Sequence, residues 1–200
     1  MKKRILTGAL SLVLAVSALF PLSGCGTTAQ AADLMAGVKA NPTSTKVDLT
    51  GDAAGAVAGF AVKLFQNSMA EENTLISPLS VLCALAMTAN GAKEETLAQM
   101  EQVFGLNISE LNGYLRAYLE NLPSGDKYKV SVADSIWFKD DDNLTIEQSF
   151  LQTNADYYGA SVYKAAFDDS TLKDINDWVS EKTDGMIENI LDKIPDAAVM

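Results

Sequence analysis

The chain has 200 residues, 48% of them hydrophobic, the make-up of a globular protein of one domain or two. Its formal net charge of −11 argues against nucleic acid as a partner, because phosphate binding needs clustered Lys and Arg. The sequence contains no histidine, which excludes Ser-His-Asp and Cys-His catalysis and every imidazole-based metal site.

Residues 1–24 read as a targeting signal. Lys2, Lys3 and Arg4 form a basic start, and residues 5–22 are largely apolar. The stretch ends Leu22-Ser23-Gly24-Cys25, which resembles the bacterial lipobox, where the cysteine is lipidated and becomes the first residue of the mature chain. A plain secretory signal needs only small residues at the cut, so Cys25 carries the distinction. A transmembrane helix is disfavoured by Gly24, Gly26 and the polar stretch beyond. The expected location is extracytoplasmic, anchored by lipid to a bacterial cell membrane or surface, with plain secretion as the alternative. Cleavage would remove basic residues and no acidic ones, leaving a chain that an anionic bilayer repels. Attachment would then rest on the acyl chains, at about 0.8 kcal/mol per buried methylene.

Residues 25–51 are small and polar with no sustained period, and read as a flexible tether with a weak helix at most over 34–38. The folded domain is expected over 52–200. Val57, Phe60, Ala61, Leu64 and Phe65 recur at helical spacing within 53–66. Residues 73–105 follow, the stretch around which the chain is organised. Ser77 can cap a helix, and Pro78 suits the first helical position, where a missing N–H costs nothing. Leu79, Val81, Leu82, Cys83, Ala84, Leu85, Ala86 and Met87 are apolar on every face, which predicts a helix of roughly 14 residues buried all round. It is too short to span a bilayer. Gly91 is expected to close it in the left-handed conformation. A second, amphipathic helix puts Leu97, Met100 and Phe104 on one side and stops at Gly105. With Cys25 lipidated, Cys83 has no intrachain partner, and on an apolar helix it reads as an inert core thiol.

Ser109 is the predicted cap of a helix with Leu111, Leu115, Tyr118, Leu119 and Leu122 on one side, stopped by Pro123. After a turn at Ser124-Gly125-Asp126, residues 128–138 place Val130, Val132, Ile136 and Phe138 on one face, the clearest strand in the chain. Asp140-Asp141-Asp142-Asn143 lacks the alternating ligands, glycine and distal glutamate of an EF-hand loop, and reads as a solvated turn. Thr145 and Gln148 form a predicted capping box for a helix to Tyr158, with Gly159 as its stop. Residues 161–167 are a short strand candidate. Asp169 or Ser170 then caps a helix with Leu172, Ile175 and Val179 on its buried side and Gly185 after its end.

Two blocks of this sequence resemble the serpin family. The first is N-x-x-I-S-P-L-S from Asn73 to Ser80, an apolar run ending Ala86-Met87-Thr88, Gly91-Ala92, T-x-x-Q-M from Thr96 to Met100, and Phe104-Gly105. The second is Ile175, Asn176, Trp178, Val179, Thr183, Gly185 and Ile187 in the pattern I-N-x-W-V-x-x-x-T-x-G-x-I. The strand around Ser135 is similar to the serpin strand written A-N-S-x-x, with Asp134 where Asn is usual. The resemblance runs in order through 52–200. It implies an α+β fold, namely the N-terminal helical half of a serpin with parts of the central antiparallel sheet, the C-terminal half being absent from this chain. It also implies that Ser77, Pro78 and Ser80 lie beneath the point where the main sheet opens, the shutter. Asn176 and Trp178 would belong to the helix lying across the front of that sheet.

The functional implication is an inhibitor of serine, and sometimes cysteine, proteases rather than an enzyme. In the family the protease cleaves an exposed reactive loop, and the acylated loop inserts as a new strand and drags the enzyme with it. No reactive site falls within these residues, so the 200-residue chain alone is expected to inhibit nothing. Some serpins bind heparin through the helix that matches the one after Ser109. Here Arg116 stands with Glu110 and Glu120, so heparin is not expected, nor any other cofactor or metal. The alternatives are a non-inhibitory serpin-like surface lipoprotein and an extracytoplasmic ligand-binding lipoprotein. A ligand pocket formed by this segment alone would support the last.

Overall fold

The computed structural model describes residues 31–41, 47–71, 73–128 and 130–200, so the signal and Cys25 lie outside the described residues. A two-residue strand, β1 (Ala32–Asp33), comes first. Four helices follow: α1 (Asp52–Ser68), α2 (Pro78–Ala89), α3 (Glu94–Phe104) and α4 (Ile108–Glu120). The chain then alternates through β2 (Ser135–Lys139), α5 (Gln148–Tyr158), β3 (Ser161–Ala165) and α6 (Asp169–Lys182). The α+β class read from the sequence holds.

The four helices close around one core. Phe60 of α1, Leu82, Cys83, Ala86 and Ala89 of α2, Phe104 of α3, and Leu111, Tyr114 and Leu115 of α4 are buried together. Phe60 and Phe104 meet edge to face with ring centroids 6.4 Å apart, the arrangement aromatic quadrupoles prefer. Burial of each such Leu or Phe is worth about 1.5–3 kcal/mol, which is where the stability of these short helices comes from.

A second core forms beneath the sheet from Met87, Ile136, Phe138, Leu151, Ala160 and Val162. Here β2 and β3 run parallel, Ser135 beside Ser161 through to Lys139 beside Ala165. The expected antiparallel sheet is therefore represented by a parallel pair. The physical reason is α5, a crossover that returns the chain to the same end of the sheet. β1 pairs antiparallel with the other edge of β3, giving the order β1-β3-β2.

Several local expectations change. Residues 31–41 do not behave as a tether: Leu34 N donates to Val162 O at 2.9 Å, and Leu34, Met35 and Val38 pack on the second core. Asn41 N donates to Asp156 Oδ1 at 2.7 Å and Gln152 Nε2 to Lys39 O at 2.8 Å. The edge of β3 offers unpaired backbone groups, and a polar segment can satisfy them as well as an apolar one. Val47 and Leu49 likewise lie on the first core.

α2 is buried on one side, not all round, since Ala84 and Leu85 are exposed. Gly91 is not left-handed. It has little room to spare, because a Cβ there would lie 3.2 Å from the Phe150 ring. Gly105 does take the left-handed conformation, at φ 74°. Asn107, not Ser109, caps α4, its Oδ1 accepting from Glu110 N at 3.0 Å. Asp168, not Asp169 or Ser170, caps α6, accepting from Ser170 N at 2.9 Å and Thr171 N at 3.1 Å. The Thr145–Gln148 box does not form, and Glu147 stands at the start of α5 without a side-chain cap bond. Within the 128–138 run the strand itself begins only at Ser135.

Candidate functional site

Ser77 sits in extended backbone at φ −106°, ψ 93°, so the chain turns a corner into α2. Its Oγ lies 2.9 Å from the Ser80 Oγ and accepts weakly from the Ser80 amide at 3.4 Å. Both serines are exposed among the described residues. Each hydroxyl can donate or accept, so the pair can exchange roles without moving the backbone. Pro78 and Leu79 form part of the wall of a cavity of about 330 Å³ between α1, α2 and α4.

Asn176, on α6, is buried and fully employed. Its Oδ1 accepts from Ile190 N at 2.9 Å and Leu191 N at 3.0 Å, and its Nδ2 donates to Leu191 O at 2.9 Å. One amide thereby holds the segment after α6 as a strand neighbour would. Trp178 has its indole Nε1 buried with no partner among the described residues, while the Lys182 ammonium stands 5.9 Å from its ring centroid. Trp178 faces a cavity of about 500 Å³ whose other walls are Met87 and Thr88 of α2, Asp134 to Trp137, and residues of 190–200. The structure thus brings Trp178 to the second half of α2 across β2. The Ser77–Ser80 pair does not line that cavity.

Cys83 is fully buried on α2. Burial first, and the nearby Asp134 charge second, push its thiol up to about 12, so it is no nucleophile. The Asp134 carboxyl is itself pushed up by burial to about 6.

A polar group that the sequence reading missed joins the helices. Asn90, at the end of α2, and Asn112 of α4 exchange amide hydrogen bonds at 3.1 and 2.8 Å. The Tyr158 hydroxyl of α5 donates to Asn112 Oδ1. Burial, more than any neighbour, holds the Tyr158 phenol far above its ordinary range. The available signal was Asn112 itself, a polar residue between Leu111 and Leu115 on the apolar side of its helix. Arg116 is also occupied: it pairs with Glu120 at 2.8 Å and donates to Asp156 O at 2.6 Å and Asn41 O at 3.3 Å.

With this geometry in hand, comparison with known proteins is decisive about the class. The family model described as Serpin (serine protease inhibitor) matches residues 55–200, and the chain belongs to the serpin family. It is similar to the thermophilic serpin tengpin in the native state, at 50% identity and a TM-score of 0.79 over 85% of this chain and 44% of that one. A loop C-sheet serpin polymer is also 50% identical, with a TM-score of 0.74 over 81% of this chain and 44% of that one. Alpha-2-antiplasmin of Mus musculus is 31% identical over 152 residues, 74% of this chain and 30% of that protein. The chain therefore spans less than half the length of these relatives.

Proposed function

We propose that the protein to which these residues belong inhibits serine proteases by loop insertion, and acts outside the cytoplasm on a lipid anchor at Cys25. The observation that carries the first part is the serpin family match over residues 55–200, with 50% identity to a native thermophilic serpin. β3 occupies one edge of β2, while on the other Lys139 N donates to Val199 O at 3.0 Å beside the 500 Å³ cavity. In this reading Ser77, Pro78 and Ser80 serve the parting of the strands, and Asn176 and Trp178 lie on the helix the loop must pass. In the same reading the 200 residues alone trap nothing, the reactive loop being expected outside them.

The test is incubation of the full-length protein with a panel of serine proteases, followed by denaturing gels. A denaturant-resistant adduct is expected. Cleavage without any adduct would sink the inhibitor reading, and an adduct formed by the 200-residue chain would sink the claim that it is inert. For the anchor, mass spectrometry of membrane fractions should find an acylated Cys25 peptide that Cys25→Ser abolishes. An unmodified protein in the medium, indifferent to that change, overturns it.

A further inference from the structure

One carboxylate beside β2 is poorly held. Asp134 immediately precedes β2 and is half-buried, and its backbone carbonyl accepts the Ser161 amide at 3.0 Å, where β2 and β3 begin to pair. Its side chain forms no hydrogen bond or ion pair among the described residues. Its charge reaches Cys83 of α2 and Tyr158 of α5 and opposes the ionisation of both. α2 carries no charged residue. α6 contributes only Ile175, Trp178 and Val179 to the shared cavity. The other charged side chain on that cavity, Lys193, makes no ion pair with it. An ionised carboxylate in such surroundings weakens the packing around it, and a protonated one does not.

We propose that Asp134 is a charge switch on the junction of α2, β2 and α6: ionised it loosens the junction, protonated it lets the junction close, so that opening of the sheet depends on pH. This deepens the inhibitor reading and rests on it for its consequence, loop insertion. The sign follows from linkage. The folded carboxyl titrates at about 6, above the ordinary 3.8, so the folded state binds this proton more tightly than the unfolded state does. The gain from protonation is complete below about pH 4 and is lost as pH rises through the folded value. These 200 residues hold no imidazole to mask that window.

The experiment compares the full-length protein with Asp134→Asn, which keeps the size and stays neutral, at about pH 4.5 and about pH 8. The thermal midpoint of the variant should exceed that of wild type by a few degrees at the higher pH and by clearly less at the lower. Conversion of the wild type to loop-inserted monomer or polymer, followed on native gels, should speed up several-fold with rising pH, and that of the variant should not. Equal pH dependence in the two proteins overturns the proposal. Should the variant not fold, carbon NMR of the wild-type Asp134 carboxyl decides, and an ordinary titration midpoint overturns it. The midpoints involve no protease. A pH difference in a protein that traps none therefore upholds the switch while removing the inhibitor reading.

Discussion

The two ends of α2 are built on opposite plans. At its start, Ser77 and Ser80 bond to each other three residues apart and are exposed among the described residues. At its finish, Asn90 is locked to Asn112 of α4 and through it to Tyr158 of α5, and Gly91 lies against the Phe150 ring. A hydrogen bond between buried groups loses no competition to water, whereas an exposed hydroxyl pair exchanges freely with it. The difference teaches where this helix can give. If α2 shifts when the sheet opens, it turns about its C-terminal end, and the Ser77 corner is the end that moves.

Breaking the fixed end should have the largest effect. Asn112→Ala removes the partner of both the Asn90 amide and the Tyr158 hydroxyl and leaves them buried, at an expected loss of about 2–3 kcal/mol in denaturant unfolding. A loss under half a kcal/mol would mean that this end is no more fixed than the other. Gly91→Val tests the same end by crowding. With a Cβ already 3.2 Å from the Phe150 ring, the two added methyls should cost about 1–3 kcal/mol, and Phe150→Leu should restore part of it. Without that rescue, the contact is not what limits the room at Gly91. Tyr158→Phe removes one hydroxyl from the three-residue group and should cost about 1 kcal/mol, with no change in the helix content seen by circular dichroism.

The contrast between the ends also explains which parts of the molecule were legible in the sequence. The Ser77-Pro78 corner was, because an N-cap and a first-turn proline are decided within four residues. So were the stops at Gly105 and Gly159, where the backbone itself demands a residue without Cβ. Caps slipped by one or two residues wherever several Asx or hydroxyl residues stood together, as at Asn107 beside Ser109 and Asp168 beside Asp169. Any of them can accept the same amides, and only the packing of the helix chooses. What depends on distant partners was not legible. The grip of Asn176 on Leu191 spans fifteen residues, and that of Tyr158 on Asn112 spans forty-six. The docking of 31–41 depends on the edge of β3, and Leu34, Met35 and Val38, lacking a sustained period, give no hint of it. The serpin pattern conveyed the class and included Asn176, and said nothing of Asn90 or Asn112.

The smallest expected effect belongs to the loose end, and it is the one that most sharpens the comparison. Ser77→Ala removes an acceptor whose bond to the Ser80 amide is already long at 3.4 Å and lies in solvent. Water can take its place, so the loss should fall at the low end for a helix cap, about 0.5 kcal/mol. Ser80→Ala should cost less still, since it deletes only the hydroxyl partner and leaves the cap acceptor in position. Ser80→Phe separates the corner from its surroundings in the whole protein. In the described residues Ser80 faces outward, so a phenyl ring there meets no wall and should leave the unfolding midpoint of the 200-residue chain almost unchanged. If the remaining strands cover this corner in the full-length protein, the same ring overpacks them at about 1–3 kcal/mol. Native gels after mild heating should then show polymer in place of monomer. A full-length Ser80→Phe protein that stays monomeric and as stable as wild type would mean that the corner is a helix cap and nothing more. A Ser77→Ala loss as large as that of Asn112→Ala would reverse the assignment of which end is fixed.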